Sequence, residues 1–175
     1  VIRRIRTAPV IIGMSCLAAA SIGCTSTVEG TASPAPDAGP GSSAASDVLA
    51  GLNACQALDQ LNAGQGYEPG VNKTRRNECG ASKPGVSGNS LALDPAQGLS
   101  EFAPTNKAVV DLMVKGRAAM KADIPTGGCA IAAEAGEHAR ALVLVTLSTG
   151  PRDPQACVDA QALAEKLEPL LPSGR

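Results

Sequence analysis

The sequence predicts an α+β domain over residues 48–175: an antiparallel sheet of four to six strands with an N-terminal and a C-terminal helix packed on it, held by two disulfides. Three observations lead there. Apolar residues recur at helical spacing near the two ends of this region. The segments between them alternate or are β-branched and are joined by short Gly-containing connections, which favours neighbouring strands running antiparallel. Four cysteines, Cys55, Cys79, Cys129 and Cys157, are spread through it.

Residues 46–61 read as the first helix. Leu49, Leu52, Cys55 (or Gln56), Leu58 and Leu61 recur every three to four residues, Ser46 or Asp47 can cap the start, and Ala63-Gly64-Gln65-Gly66 ends it. Residues 67–88 are polar and rich in Gly, Pro, Lys and Arg, with Cys79 among them. Leu91 and Leu93 alternate within a strand at 89–94. Residues 107–121 fit a helix or two strands; Val109-Val110 and Val114 around a turn at Gly116-Arg117 favour the strands. Residues 129–134 and 140–147 form a hairpin about Ala135-Gly136-Glu137, and Arg-Ala-Leu-Val-Leu-Val-Thr-Leu is the clearest strand in the chain. In the last helix Asp153 is the N-cap and Pro154 the first helical residue. Cys157, Ala160, Leu163, Ala164 and Leu167 make its apolar stripe, and Pro169 and Pro172 close it.

The core must be lightly built. Hydrophobic residues are 44% of the chain, but aromatics are 1%, with Tyr67, Phe102 and no Trp, so Ala, Val, Leu and Ile have to fill it. Covalent help is expected. An even count of cysteines in an oxidising compartment points to disulfides, and of three pairings chain order favours Cys55–Cys79 and Cys129–Cys157. Zinc is the rival use of four cysteines, but it favours close Cys-x-x-Cys pairs, and there are none.

The first 23 residues read as an export signal. Arg3, Arg4 and Arg6 precede an uncharged apolar run over 8–22, which at about 15 residues is shorter than the ~20 a membrane-spanning helix needs. The run ends in Ser21-Ile22-Gly23-Cys24, which resembles the bacterial lipobox with Ser in place of its usual Leu. That resemblance implies a diacylglyceryl thioether on Cys24 and cleavage before it, so that acyl chains anchor the protein in the membrane. Cys16 is a weaker candidate because too little apolar sequence precedes it. Residues 24–47 form a Ser/Thr/Pro/Ala/Gly linker whose one large aliphatic residue is Val28. Such a composition predicts a disordered tether. The expected location is the outer face of the cytoplasmic membrane.

Several further stretches carry a resemblance: Cys24 and the linker, Asn53-Ala54-Cys55-Gln56-Ala57-Leu58, Cys79-Gly80, the Val109-to-Ala119 stretch with its Gly116-Arg117-Ala118, Cys129-Ala130-Ile131, and Asp153-Pro154-Gln155-Ala156-Cys157 through Leu171-Pro172. Over about residues 48–172 the chain resembles the actinobacterial lipoprotein family known as domain of unknown function 3558. It departs from that pattern at Ala81, where the family places Trp, and at Ala54, where it places Pro. The resemblance implies an α+β domain with two disulfides and no established activity.

Composition excludes some functions. Without Arg3, Arg4 and Arg6, 12 basic residues face 16 acidic ones, a net charge of −4. That argues against a nucleic-acid partner. The single histidine, His138, has no second His or nucleophile motif beside it and reads as a solvated turn residue. Glu134 and Glu137 read as ordinary surface carboxylates, and Lys73, Arg75 and Arg76 as a small basic patch. No catalytic, cofactor-binding or metal residue is assigned, and no enzyme activity is expected. Two functions remain: a non-catalytic interaction or sensing module with an envelope protein partner, and a carrier or receptor for a lipid or cell-wall ligand held in an apolar pocket.

Overall fold

Alternation along the strands and a three-to-four repeat at each end require a sheet with helices on it. The computed structural model has that arrangement. It describes residues 48–72, 74–125, 127–150 and 153–173, which all belong to one compact unit, Ser42–Arg175. The export signal, Cys24 and the linker lie outside the described residues.

The order of elements is α1 (Ala54–Asn62), β1 (Glu78–Lys83), β2 (Ser87–Asp94), α2 (Leu99–Thr105), β3 (Lys107–Val114), β4 (Arg117–Asp123), β5 (Cys129–Gly136), β6 (Ala139–Leu147) and α3 (Gln155–Leu167), with a short 3₁₀ turn at Glu168–Leu170. The six strands form one sheet in the order β1-β2-β6-β5-β4-β3, antiparallel throughout. The expected class, the two terminal helices and the upper end of the strand range are all present.

Because side chains alternate across a strand, the register assigns each row to a face. Cys79, Leu91, Val143, Ile131 and Lys121 stand in one row. The first four belong to the main core under α1 and α3. Glu78, Ala92, Leu142, Ala132 and Met120 form a row on the opposite face, and Gly80, Ser90, Leu144, Ala130 and Ala122 another. Among the described residues, 13 of the 28 buried apolar side chains are alanine, which contribute little bulk to the core.

Several details differ from expectation. The first helix begins at Ala54, not near residue 46: Asn53 accepts the Gln56 amide at 3.0 Å, and Leu49 packs from a preceding turn instead of from the helix. Capping by Asn outcompetes the weak periodicity before it. Residues 67–88, to which the sequence assigns no element, contain β1 and the start of β2. The small residues of β1 alternate around Cys79 and Ala81, both buried, without the β-branched bulk that marks a strand. The turn after β3 sits one residue earlier than expected, at Lys115-Gly116, with φ of 48° and 87°. Two consecutive positive φ values are what a two-residue type I′ hairpin requires. Asn tolerates the first of them better than Lys, so Lys115→Asn is expected to stabilise the domain by roughly 0.5 kcal/mol. Urea midpoints with unchanged slope would register it.

Asp153 caps α3 as expected. Its carboxylate accepts the Gln155 amide at 2.9 Å, and Pro154 is already helical at φ −63°. Both sheet edges are blunted. Val71 pairs with Gly80, and the Glu68 amide bonds the Ser82 carbonyl, along the outer side of β1. At the other edge β3 carries a bulge between Lys107 and Val110, with Ala108 at φ 51°. Bulges and exposed charges of this kind discourage edge-to-edge pairing.

Candidate functional site

The cysteines are placed as chain order suggested. Cys55–Cys79 ties α1 to the edge strand β1, and Cys129–Cys157 ties α3 to β5 inside the sheet. Cys129 is fully buried. The Asp123 carboxylate lies beside the second disulfide, with its ligand atom and the two sulfurs within 4.8 Å of one another. Both sulfurs are consumed in that bond, so the group offers one free carboxylate. His138 sits in the β5–β6 turn, 63% exposed, 3.7 Å from Glu101 and 3.9 Å from Glu137. Glu134 and Glu137 are exposed at the same end of the sheet. Arg75 and Arg76 are exposed, and Lys73 lies outside the described residues.

No local pattern announces α2. It is seven residues long with Pro104 near its end, too short to establish a period. Its start is fixed by Glu101, which accepts the Gly98 amide at 2.7 Å. Its last carbonyls are met by the Thr105 hydroxyl and the Asn106 amide. Gly98 must be glycine, because a Cβ there would run into the backbone carbonyl of Glu137. Phe102 descends from α2 onto Ala122, Ala130 and Ala132, with which it forms a second small core. Arg140 lies 5.5 Å from the centre of its ring, donates to the Gly98 carbonyl and the Gln97 side chain, and pairs with Asp94 at 3.9 Å. The alanines on β4 and β5 thus form the seat of a single aromatic ring.

This helix covers only the β3-β4-β5 half of its face. Over β1, β2 and β6 the same face is open, as a trough of about 610 Å³ with a floor of Gly80, Ser90, Ala92, Leu142 and Leu144. Pro69 and Val71 form its outer wall, and Val71 is 53% exposed. A smaller hollow of about 350 Å³, lined in part by Arg76, Asp94 and Arg140, continues from Glu78, Ala92 and Leu142 toward α2. Among the described residues, the charged ones lining the larger trough are Glu68 and Glu78. Neither has an ion pair among the described residues; Glu68 accepts the Ser82 hydroxyl at 2.8 Å.

Two other concavities are committed to the fold or open to water. The cleft at the β3–β4 and β5–β6 turns, about 1040 Å³, contains Arg117. That side chain, 8% exposed, pairs with Glu168 at 3.2 Å and donates to the carbonyls of Glu134 and Pro172. It fastens the chain after α3 to the sheet. The groove at Cys157 is lined by Lys107, Lys121, Asp123 and Asp153, a mixed-charge margin.

Two carboxyls titrate below their ordinary range. The Ser100 hydroxyl first, then the Gly98 amide, lowers Glu101. The Thr149 hydroxyl first, then the Gln155 amide, lowers Asp153. A carboxyl whose folded value is depressed contributes stability that is complete above its unfolded value and is lost as pH falls through the folded one. Melting temperature should therefore drop as pH falls below about 4. The double variant Glu101→Gln/Asp153→Asn, which keeps acceptors but cannot titrate, should show a shallower acid limb.

Among the described residues no helix is long and apolar enough to cross a membrane. Comparison with protein-family models, curated proteins and solved structures finds no match for this chain.

Proposed function

We propose that the protein is a non-catalytic, lipid-anchored module of the cell envelope, held on the outer face of the cytoplasmic membrane through Cys24, and that it docks a protein partner on the open half of its second sheet face. The observation that carries this reading is the uneven cover of that face. Phe102 and α2 seal one half, while Ala92, Leu142 and Leu144 floor an open trough on the other. Apolar surface left open across a sheet face marks a place where another molecule excludes water. Membership in the actinobacterial family named above is part of the same proposal, supported by the α+β sheet and the two disulfides.

Charge favours a protein over an anionic lipid. A phosphate or fatty-acid head group entering the larger trough would meet Glu68 and Glu78, with like-charge repulsion added to the cost of desolvating both carboxylates.

The test is crosslinking in intact envelopes followed by purification of the protein. A discrete crosslinked species should disappear in Leu144→Glu and Ala92→Glu and persist in Val158→Glu, on the exposed side of α3. Loss of the species in all three, or in none, would contradict docking at the trough. Cys24→Ala should move the protein from the membrane to the soluble fraction. Retention in the membrane would contradict the anchor.

A further inference from the structure

We infer that the partner segment seated in this trough is basic–apolar–basic, with two cationic side chains about 13 Å apart on either side of an apolar one; the inference rests on the docking reading above. Glu78 and Ser82 lie on the open face of β1, four residues apart, a span of about 13 Å at the rise of a strand. Glu68 is fixed over Ser82 by the 2.8 Å hydroxyl contact and by its own amide bond to the Ser82 carbonyl. One carboxylate therefore stands near each end of the trough, Glu78 in the row of Ala92 and Leu142 and Glu68 over the row of Ser82, Gly88 and Thr146, with Gly80, Ser90 and Leu144 in the row between.

Neither carboxylate has an ion pair among the described residues, and Glu78 is already half-buried. Covering it with a neutral or anionic segment removes its water without compensation, so the site discriminates by charge as well as by shape. In an extended segment, side chains on one face repeat about every 6.6–7 Å, so residues i and i+4 meet the two carboxylates and residue i+2 lies over the small residues Gly80 and Ser90, facing Leu144. Arg and Lys both satisfy the charge requirement. Arg adds the planar fork that grips a carboxylate with two bonds.

The test is to pan a random-peptide display library against the detergent-solubilised full-length protein. Enriched sequences should share Lys or Arg at i and i+4 with an apolar residue at i+2. Their binding should vanish in Leu144→Glu and in Ala92→Glu. It should weaken roughly three- to tenfold in Glu68→Gln/Glu78→Gln at low salt, since rim ion pairs contribute modestly and are screened. Clones that need Leu144 but lack the basic pair, or that ignore the Glu→Gln changes, would overturn this inference and leave the docking reading standing. Clones indifferent to both trough variants, or no enrichment at all, would overturn the two together. Displacement of the clones by oleate or by anionic phospholipid vesicles would overturn both in favour of a lipid ligand.

Discussion

Replacing Cys129 and Cys157 together by alanine is expected to lower the domain's stability by about 3.5 kcal/mol from the unfolded chain's regained entropy alone. The bridge closes a separation of 28 residues. The comparable loss for Cys55 and Cys79, separated by 24, is only slightly smaller on that basis, because closure entropy grows with the logarithm of loop length. The two staples should nevertheless differ. Cys129 is fully buried and joins an inner strand to α3, whereas Cys79 joins an edge strand to α1. Removing the inner staple also leaves α3 held by a stripe in which Ala156, Ala160 and Ala164 alternate with Leu163 and Leu167. Alanines bury little area, at about 25 cal/mol per Å². Urea unfolding of the two double variants should therefore give a larger loss for Cys129/Cys157. Equal losses would mean that the core beneath α3 is firmer than its composition suggests.

Phe102→Ala is expected to cost about 3–5 kcal/mol, the range for emptying a large buried aromatic site. Phe102 is 2% exposed and is the chain's single phenylalanine. Its buried neighbours Ala122, Ala130 and Ala132 lie on a hydrogen-bonded sheet and have no length with which to fill the vacancy, which leaves only partly buried residues at the margin, such as Met120 and Leu142, to move in. Arg140 would also lose the ring face that its guanidinium approaches. Phe102→Leu, which refills most of the volume, should lose much less. Hydrogen exchange should show α2 opening in the alanine variant while β5 and β6 stay protected. Uniform loss of protection would mean that α2 is an integral part of the cooperative core.

The legible parts of this fold are those where one local signal had no competitor. The β5–β6 hairpin announces itself through Val143 and Val145 on one side and the short Gly136 connection on the other. α3 does so through Asp153-Pro154 and its stripe. The disulfide partners follow chain order because each staple joins a helix to a strand of the same half of the chain. β1 was hidden because its signal is steric: Gly80, Ala81 and Ser82 are strand residues through pairing with β2 and through the Val71 bridge, not through propensity. α2 was hidden because seven residues make fewer than two turns. The trough was hidden for the same reasons, since it is defined by where α2 stops and by a wall that bridges β1. The second sheet face carries aliphatic side chains from β6, and where α2 ends it lies open as a trough.

The open half of the second sheet face is proposed here as the working surface of a membrane-tethered domain. A photoreactive amino acid placed at Ser90, in the trough floor, and separately at Val158, on the opposite side of the sheet, tests it most directly in living cells. Irradiation should yield a defined protein adduct from position 90 and none from position 158. An adduct from 158 alone, or lipid as the sole product at 90, would contradict it.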